Sequence, residues 1–194
     1  MRLVSSFVEM CTEKNYISQK NAEWLRYALE KRIATVTCLV PLLILGFLIA
    51  NPATVICFFG AFYLLRTRTN GFHAKSIGRC FFLSMLGEIF FLKIFSLLWD
   101  TIFAFITLFT SVMLIWLYAP YNHPNMDLSA DEVVACAKSA KWRLSMLVFA
   151  LIALCIWKQY QLAQGIFLGI VMTATTLIMA YCLQEIELEN ENLS

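Results

Sequence analysis

A chain of 194 residues that is 60% hydrophobic and 14% charged, with a mean hydropathy of +0.71, lies far from the composition of a soluble globular domain. Its formal charge of +2 is too small to mark a nucleic-acid partner. The seven cysteines (Cys11, Cys38, Cys57, Cys80, Cys136, Cys155, Cys182) form no CxxC pair and mostly lie in apolar runs, which excludes a disulfide framework and a cysteine zinc site and leaves no cofactor to expect.

The expected fold is therefore an all-α, polytopic membrane bundle. At its start, Leu3, Val4, Phe7, Val8 and Cys11 recur at the spacing of one helix face. A break at 15–18 leads to a second amphipathic segment, with Trp24, Leu25, Ala28 and Leu29 on one side and Lys20, Glu23, Glu30 and Lys31 mostly on the other. Mixed charges predict helices that pack under the bundle, since a dedicated lipid-binding face is usually strongly basic. Residues 1–32 are read as these cytoplasmic helices. They lack the apolar core of a cleavable signal peptide, so the first span is expected to serve as an uncleaved insertion signal.

Residues 33–50 are apolar enough to span, with Pro41 placed to kink the helix. Asn51 and Pro52 make a very short turn. The next run, 53–65, has 13 residues, short of the roughly 20 that cross the hydrocarbon. Either its helix continues through Arg66 with snorkelling arginines, or the following loop dips below the membrane surface where the bundle shields it.

That loop, 66–80, carries four cations (Arg66, Arg68, Lys75, Arg79), no carboxylate, and a histidine seven residues before a cysteine, His73 and Cys80. A thiolate is strongly nucleophilic, and a histidine beside it can take and return the proton. On one straight helix the two groups would stand about 10.5 Å apart along the axis, too far for a hydrogen bond. The segment must bend. Asn70 with Gly71 gives a turn signal and Gly78 a second flexible point, which predicts that His73 folds back onto Cys80. Cys80 is expected to open the helix CFFLSMLG, whose positive end, with Arg79 and Lys75 nearby, lowers the thiol pKa. The plain alternative is a cationic topology signal beside a small packing cysteine.

Residues 80–98 form the third span, unusual in holding Glu88 and Lys93. A spacing of five sets them about 140° apart on a helix, poor geometry for pairing with each other. Glu88 lies two turns past Cys80 and either lines a substrate cavity or makes a buried helix contact. Residues 101–119 make a fourth span, ended by Pro120. His123, between Asn122 and Pro124, reads as a loop histidine rather than a second catalytic group. Ser129 and Glu132 match a capping box, with Leu128 and Val133 as a hydrophobic staple, so a helix begins there and enters the membrane as 144–157. A polar turn, 158–164, leads to the last span, 165–182, in which Gly165 and Gly169 have the spacing of helix association. Four glutamates mark an acidic tail, 183–194, and the single membrane domain is 33–182.

If about six spans alternate, six basic residues of the N-terminal segment, four of the 66–79 loop and three of the 120–143 loop share one side, and the opposite loops hold only Lys158. The positive-inside rule then puts both termini, His73 and Cys80 in the cytoplasm. A four-span version with two re-entrant segments keeps that placement for the 66–80 loop.

Arg66, the run Asn70-Gly71-Phe72-His73-Ala74-Lys75, and Arg79-Cys80 resemble the accessory gene regulator B (AgrB) family, membrane peptidases of Gram-positive bacteria that process quorum-sensing propeptides. Ala119-Pro120, Pro124-Asn125, Glu132 and Lys138 resemble a second conserved loop of that family, so the likeness covers nearly the whole chain. Members typically carry two glycines before the residue that precedes the histidine. Here the first is Asn70, and asparagine tolerates positive φ better than other non-glycine residues.

The resemblance implies a cysteine endopeptidase in the cell membrane, working on an AgrD-like precursor peptide among membrane lipids, as a homodimer. Cys80 and His73 would be catalytic; by their charge Arg66, Lys75 and Arg79 would then bind the precursor's acidic tail or serve only topology and headgroup contact, and Glu88 would line the substrate cavity by its place on the face of Cys80. Two readings from other classes remain: a small transporter or exporter, for which Glu88 with Lys93 is the hint, and a noncatalytic membrane scaffold.

Overall fold

The computed structural model describes the chain except residues 1, 15, 18, 71–76, 123–128 and 193–194, and gives backbone alone at 2, 3, 13, 19, 20, 24, 27, 31, 32, 34, 77, 79, 80 and 184–192. Among the described residues there is no strand. The helices are α1 (Arg2–Glu13), α2 (Gln19–Ile49), α3 (Pro52–Thr69), α4 (Ile77–Ile89), α5 (Ile102–Tyr118), α6 (Ala130–Ile156) and α7 (Tyr160–Asn192). The chain divides into two compact units, Met1–Leu45 and Gly46–Ser194.

In the first unit α1 is amphipathic, with Val4 and Val8 buried and Phe7 and Met10 exposed. It ends in a turn in which the Tyr16 amide donates to the Cys11 carbonyl at 3.0 Å. From Gln19 one helix runs through both the amphipathic segment and the first span, passing Pro41 on the way. No glycine or capping residue stands between residues 29 and 33 to stop it, and Lys and Arg are good helix formers.

In the second unit α7 is the central helix. Its span is 61% buried, against 12 to 22% for the other long apolar helices. Helices α3, α5 and α6 all pack on it. The α3 contact is close because Gly165 and Gly169 present no side chain: a Cβ on Gly169 would meet the Phe58 carbonyl and Ala61 Cβ at 2.8 Å, and one on Gly165 would meet the Thr54 carbonyl. The small-residue spacing thus serves a contact inside the chain, not evidence for a second copy. Thr54 Oγ1 donates to the Gln161 carbonyl at 3.0 Å across the same pair.

Helix α3 starts where Asn51 accepts from the Ala53 amide with Pro52 in the first turn, and it continues through Arg66 and Arg68 to Thr69. Of the two expectations for this short run, the continuing helix is the one observed. Helix α4 changes after Ile89 into a π-helical turn, Phe90–Ile94, and a 3₁₀ turn, Phe95–Leu98. Gln164 Nε2 donates to the Ser96 carbonyl at 3.1 Å, satisfying an acceptor in this irregular stretch. The polar turn after α6 is shorter than expected: Lys158 at φ 58° reverses the chain, and α7 is already helical at Tyr160.

Four helical stretches are long and apolar enough to cross a membrane: Asn21–Ile49, Phe81–Leu98, Ala130–Ile156 and Tyr160–Leu183. Helix α5 is apolar but 17 residues long, and the two arginines of its last turn dilute α3. Large apolar side chains face outward, among them Leu97, Phe105, Phe149 and Ile156, as a hydrocarbon surround allows.

Candidate functional site

The cationic loop leaves the bundle from the end of α3. Arg66 and Arg68 occupy the last turn of that helix, where its negative dipole end favours positive charge. The turn is held from α6: Arg143 Nη1 donates to the Leu64 carbonyl at 2.7 Å and to Thr67 Oγ1 at 2.8 Å. In the sequence Arg143 counts only among the three basic residues of 120–143, and this role is missed.

Asn70 caps α3. Its amide donates to the Arg66 carbonyl at 3.2 Å, and its backbone lies at φ 56°, ψ −133°, so the positive φ expected of this asparagine is found. The side chain adds what a glycine lacks. Asn70 Nδ2 donates to the Tyr121 carbonyl at 3.2 Å, while the Tyr121 amide donates to the Thr69 carbonyl at 2.9 Å. The two stretches singled out separately in the sequence, 66–80 and the loop after α5, are therefore joined at their first residues. Tyr121, 3% exposed, packs edge-on against Tyr181 of α7 at 5.0 Å, and the Tyr181 hydroxyl donates to the Tyr118 carbonyl at 2.9 Å. No one-dimensional signal announced Tyr121 or Tyr181, since their contacts span 51 residues or more of chain.

His73 and Lys75 fall in 71–76, outside the described residues, as does His123, and Cys80 and Arg79 are described by backbone alone. That backbone corrects one expectation. Helix α4 begins at Ile77, three residues before Cys80, so Gly78 is a helical position and not a hinge, and Cys80 closes the first turn rather than opening the helix.

Glu88 is 1% exposed, and neither carboxylate oxygen has a hydrogen-bond partner. Gly46 leaves the space it fills: a Cβ there would lie 2.6 Å from Glu88 Oε1. An ionisable group inside a span costs on the order of 2.5 to 3.5 kcal/mol on insertion scales. Lys93 is exposed on the π-helical turn and forms no described ion pair with Glu88, as the spacing predicted.

A groove of about 330 Å³ runs between α5 and α6, lined by Val112, Trp116, Leu144, Ser145, Val148 and Phe149 among others. Lys141 Nζ sits 5.3 Å over the Trp116 ring nearby. This groove offers no acid, base or nucleophile beyond Ser145. Cys11, Cys38, Cys57, Cys136, Cys155 and Cys182 are free thiols.

Residues 4–177 match the family described as Accessory gene regulator B. No curated protein and no solved structure matches the chain.

Proposed function

Because the chain belongs to the Accessory gene regulator B family, we propose that it is a membrane-embedded cysteine endopeptidase of quorum sensing, which cuts an AgrD-like propeptide and closes the product into a ring. What supports this reading is the sequence spacing of His73 and Cys80, seven residues apart between the cationic end of α3 and the first turn of α4. Cys80 lies where the partial positive charge of a helix start stabilises a thiolate.

In this mechanism His73 takes the Cys80 proton as sulfur attacks the scissile carbonyl, and the imidazolium then protonates the leaving amine. The signalling segment remains as a thioester on Cys80. A thiol within the peptide attacks that carbonyl, Cys80 leaves as thiolate, and the attacking thiol's proton passes to His73. Thiol exchange on a thioester is nearly balanced in energy, so holding the attacking thiol in place supplies the advantage over water. Arg66, Lys75 and Arg79 meet the acidic tail of the precursor. Glu88 is the buried carboxylate available to a cationic group of the peptide.

The protein works in the cell membrane as a homodimer among lipids, with α3 and α5 completing six spans and the loop on the cytoplasmic side. Residues 1–32 and 183–194 are its cytoplasmic ends around the membrane domain 33–182. A small transporter is the second reading, favoured by the break in α4 beside Glu88.

Mass spectrometry of a candidate precursor incubated with the purified protein in lipid tests the proposal. Wild type should release the tail and leave a Cys80-linked species or a ring short of one water, while Cys80→Ala and His73→Ala do neither. Equal products from all three proteins would remove the assignment.

A further inference from the structure

Asn70 combines a costly backbone with a paired side chain. At φ 56° and ψ −133° it lies outside the small left-handed well that non-glycine residues occupy, in a region crowded by a Cβ. Such a conformation persists where the surroundings over-determine it, and here they do. The Asn70 amide is fixed by the Arg66 carbonyl, the Asn70 side chain by the Tyr121 carbonyl, and the neighbouring Thr69 carbonyl by the Tyr121 amide. Tyr121 is in turn buried against Tyr181 of α7. The next residue begins the segment that carries His73.

We infer that Asn70 is a positioning residue for the peptidase reaction: its side-chain bond to Tyr121 registers the start of the His73 segment against the α5–α7 frame. The inference rests on the assignment of His73 and Cys80 made above. The described hydrogen bonds of Asn70 go to Arg66, Thr69 and Tyr121. Asn70 acts by fixing where the chain leaves α3, and small misplacements of a catalytic base cost large factors in rate.

Three variants of the full chain in lipid vesicles separate the contributions, each measured for cleavage of the precursor and for the pH profile of Cys80 alkylation by iodoacetamide. Asn70→Asp keeps the shape and the tolerance of positive φ but sets a carboxylate against the Tyr121 carbonyl. It should lower kcat by about tenfold or more with little change in KM, and move the alkylation profile towards that of His73→Ala. Asn70→Gly relieves the backbone and removes only the amide, so it should fold as wild type and lose about fivefold in kcat, the worth of one neutral hydrogen bond. Asn70→Ala, with strain and no amide, should lose more than Asn70→Gly.

A purely structural role would leave the alkylation profile of the folded variants unmoved. If Asn70→Asp and Asn70→Gly match wild type in kcat and in that profile while Cys80→Ala is inactive, the positioning role is overturned and the Cys80 assignment stands. If Cys80→Ala cleaves as well as wild type, both fall together.

Discussion

Arg143 of α6 donates through one guanidinium nitrogen to the Leu64 carbonyl at 2.7 Å and to Thr67 Oγ1 at 2.8 Å, tying the last turns of α3 to a helix 79 residues away in sequence. The cation also complements the negative end of the α3 dipole. Arg143→Met keeps much of the apolar stem and removes both bonds, and it should cost about 1 kcal/mol of stability. Thermal unfolding in detergent measures the loss. Arg143→Lys should recover less than half, because an ammonium is more strongly hydrated than a guanidinium and gives up its water less readily. A melting temperature unchanged by Arg143→Met would show that this tie contributes nothing.

Two glycines at opposite extremes of packing give a paired prediction. Gly169 sits where a Cβ would come within 2.8 Å of the Phe58 carbonyl, whereas nothing lies within 4 Å of one on Gly60. Gly169→Ala should destabilise by about 1 to 3 kcal/mol through overpacking. Gly60→Ala should be neutral or stabilise by up to about 1 kcal/mol through helix propensity. The Gly169→Ala effect should not vary with protein concentration, because the contact lies within one chain. A concentration-dependent effect would return the glycine pair to an interface between copies.

How much of this was legible in the sequence follows from the range of each signal. Local chemistry read correctly: the turn at Asn51 and Pro52, the capping box at Ser129 and the positive φ of Asn70 depend on residues within four positions of one another. The helix boundaries at Gln19, Ile77 and Tyr160 misread because apolar runs mark membrane depth and not helix length, and polar residues such as Lys, Arg and Gln carry a helix onward at no cost. The Arg143 tie and the bond from Asn70 to Tyr121 were invisible, since each joins helix ends that only the tertiary arrangement brings together. The pattern of motifs was enough to resemble a family whose match spans 4–177.

Ser129 heads α6 with a complete capping box. Its hydroxyl accepts from the Glu132 amide at 3.4 Å, and the Glu132 carboxylate accepts from the Ser129 amide at 3.0 Å. Ser129→Ala should cost about 1 kcal/mol and fray the first turn, seen as faster amide exchange at 130–133 with the apolar part of the helix beyond Leu144 unaffected. Ser129→Asp should restore most of the protection. Equal exchange in wild type and Ser129→Ala would mean that the cap is redundant with membrane anchoring further along the helix.

Glu88 supplies the prediction with the widest consequence, because its carboxylate is buried with both oxygens unpartnered. Glu88→Gln preserves the volume against Gly46 and removes a group whose ionised form is costly in this setting. Stability in detergent should rise, by about 1 kcal/mol, while Glu88→Ala should lower it by leaving a void. If the carboxylate also receives a cationic group of the precursor, Glu88→Gln raises KM and leaves kcat unchanged, the signature of lost uniform binding. If it instead belongs to a transport pathway through the break in α4, the same variant leaves cleavage intact and abolishes transmembrane flux. A Glu88→Gln protein that is more stable, with unchanged KM and no flux lost, would assign the residue to neither role.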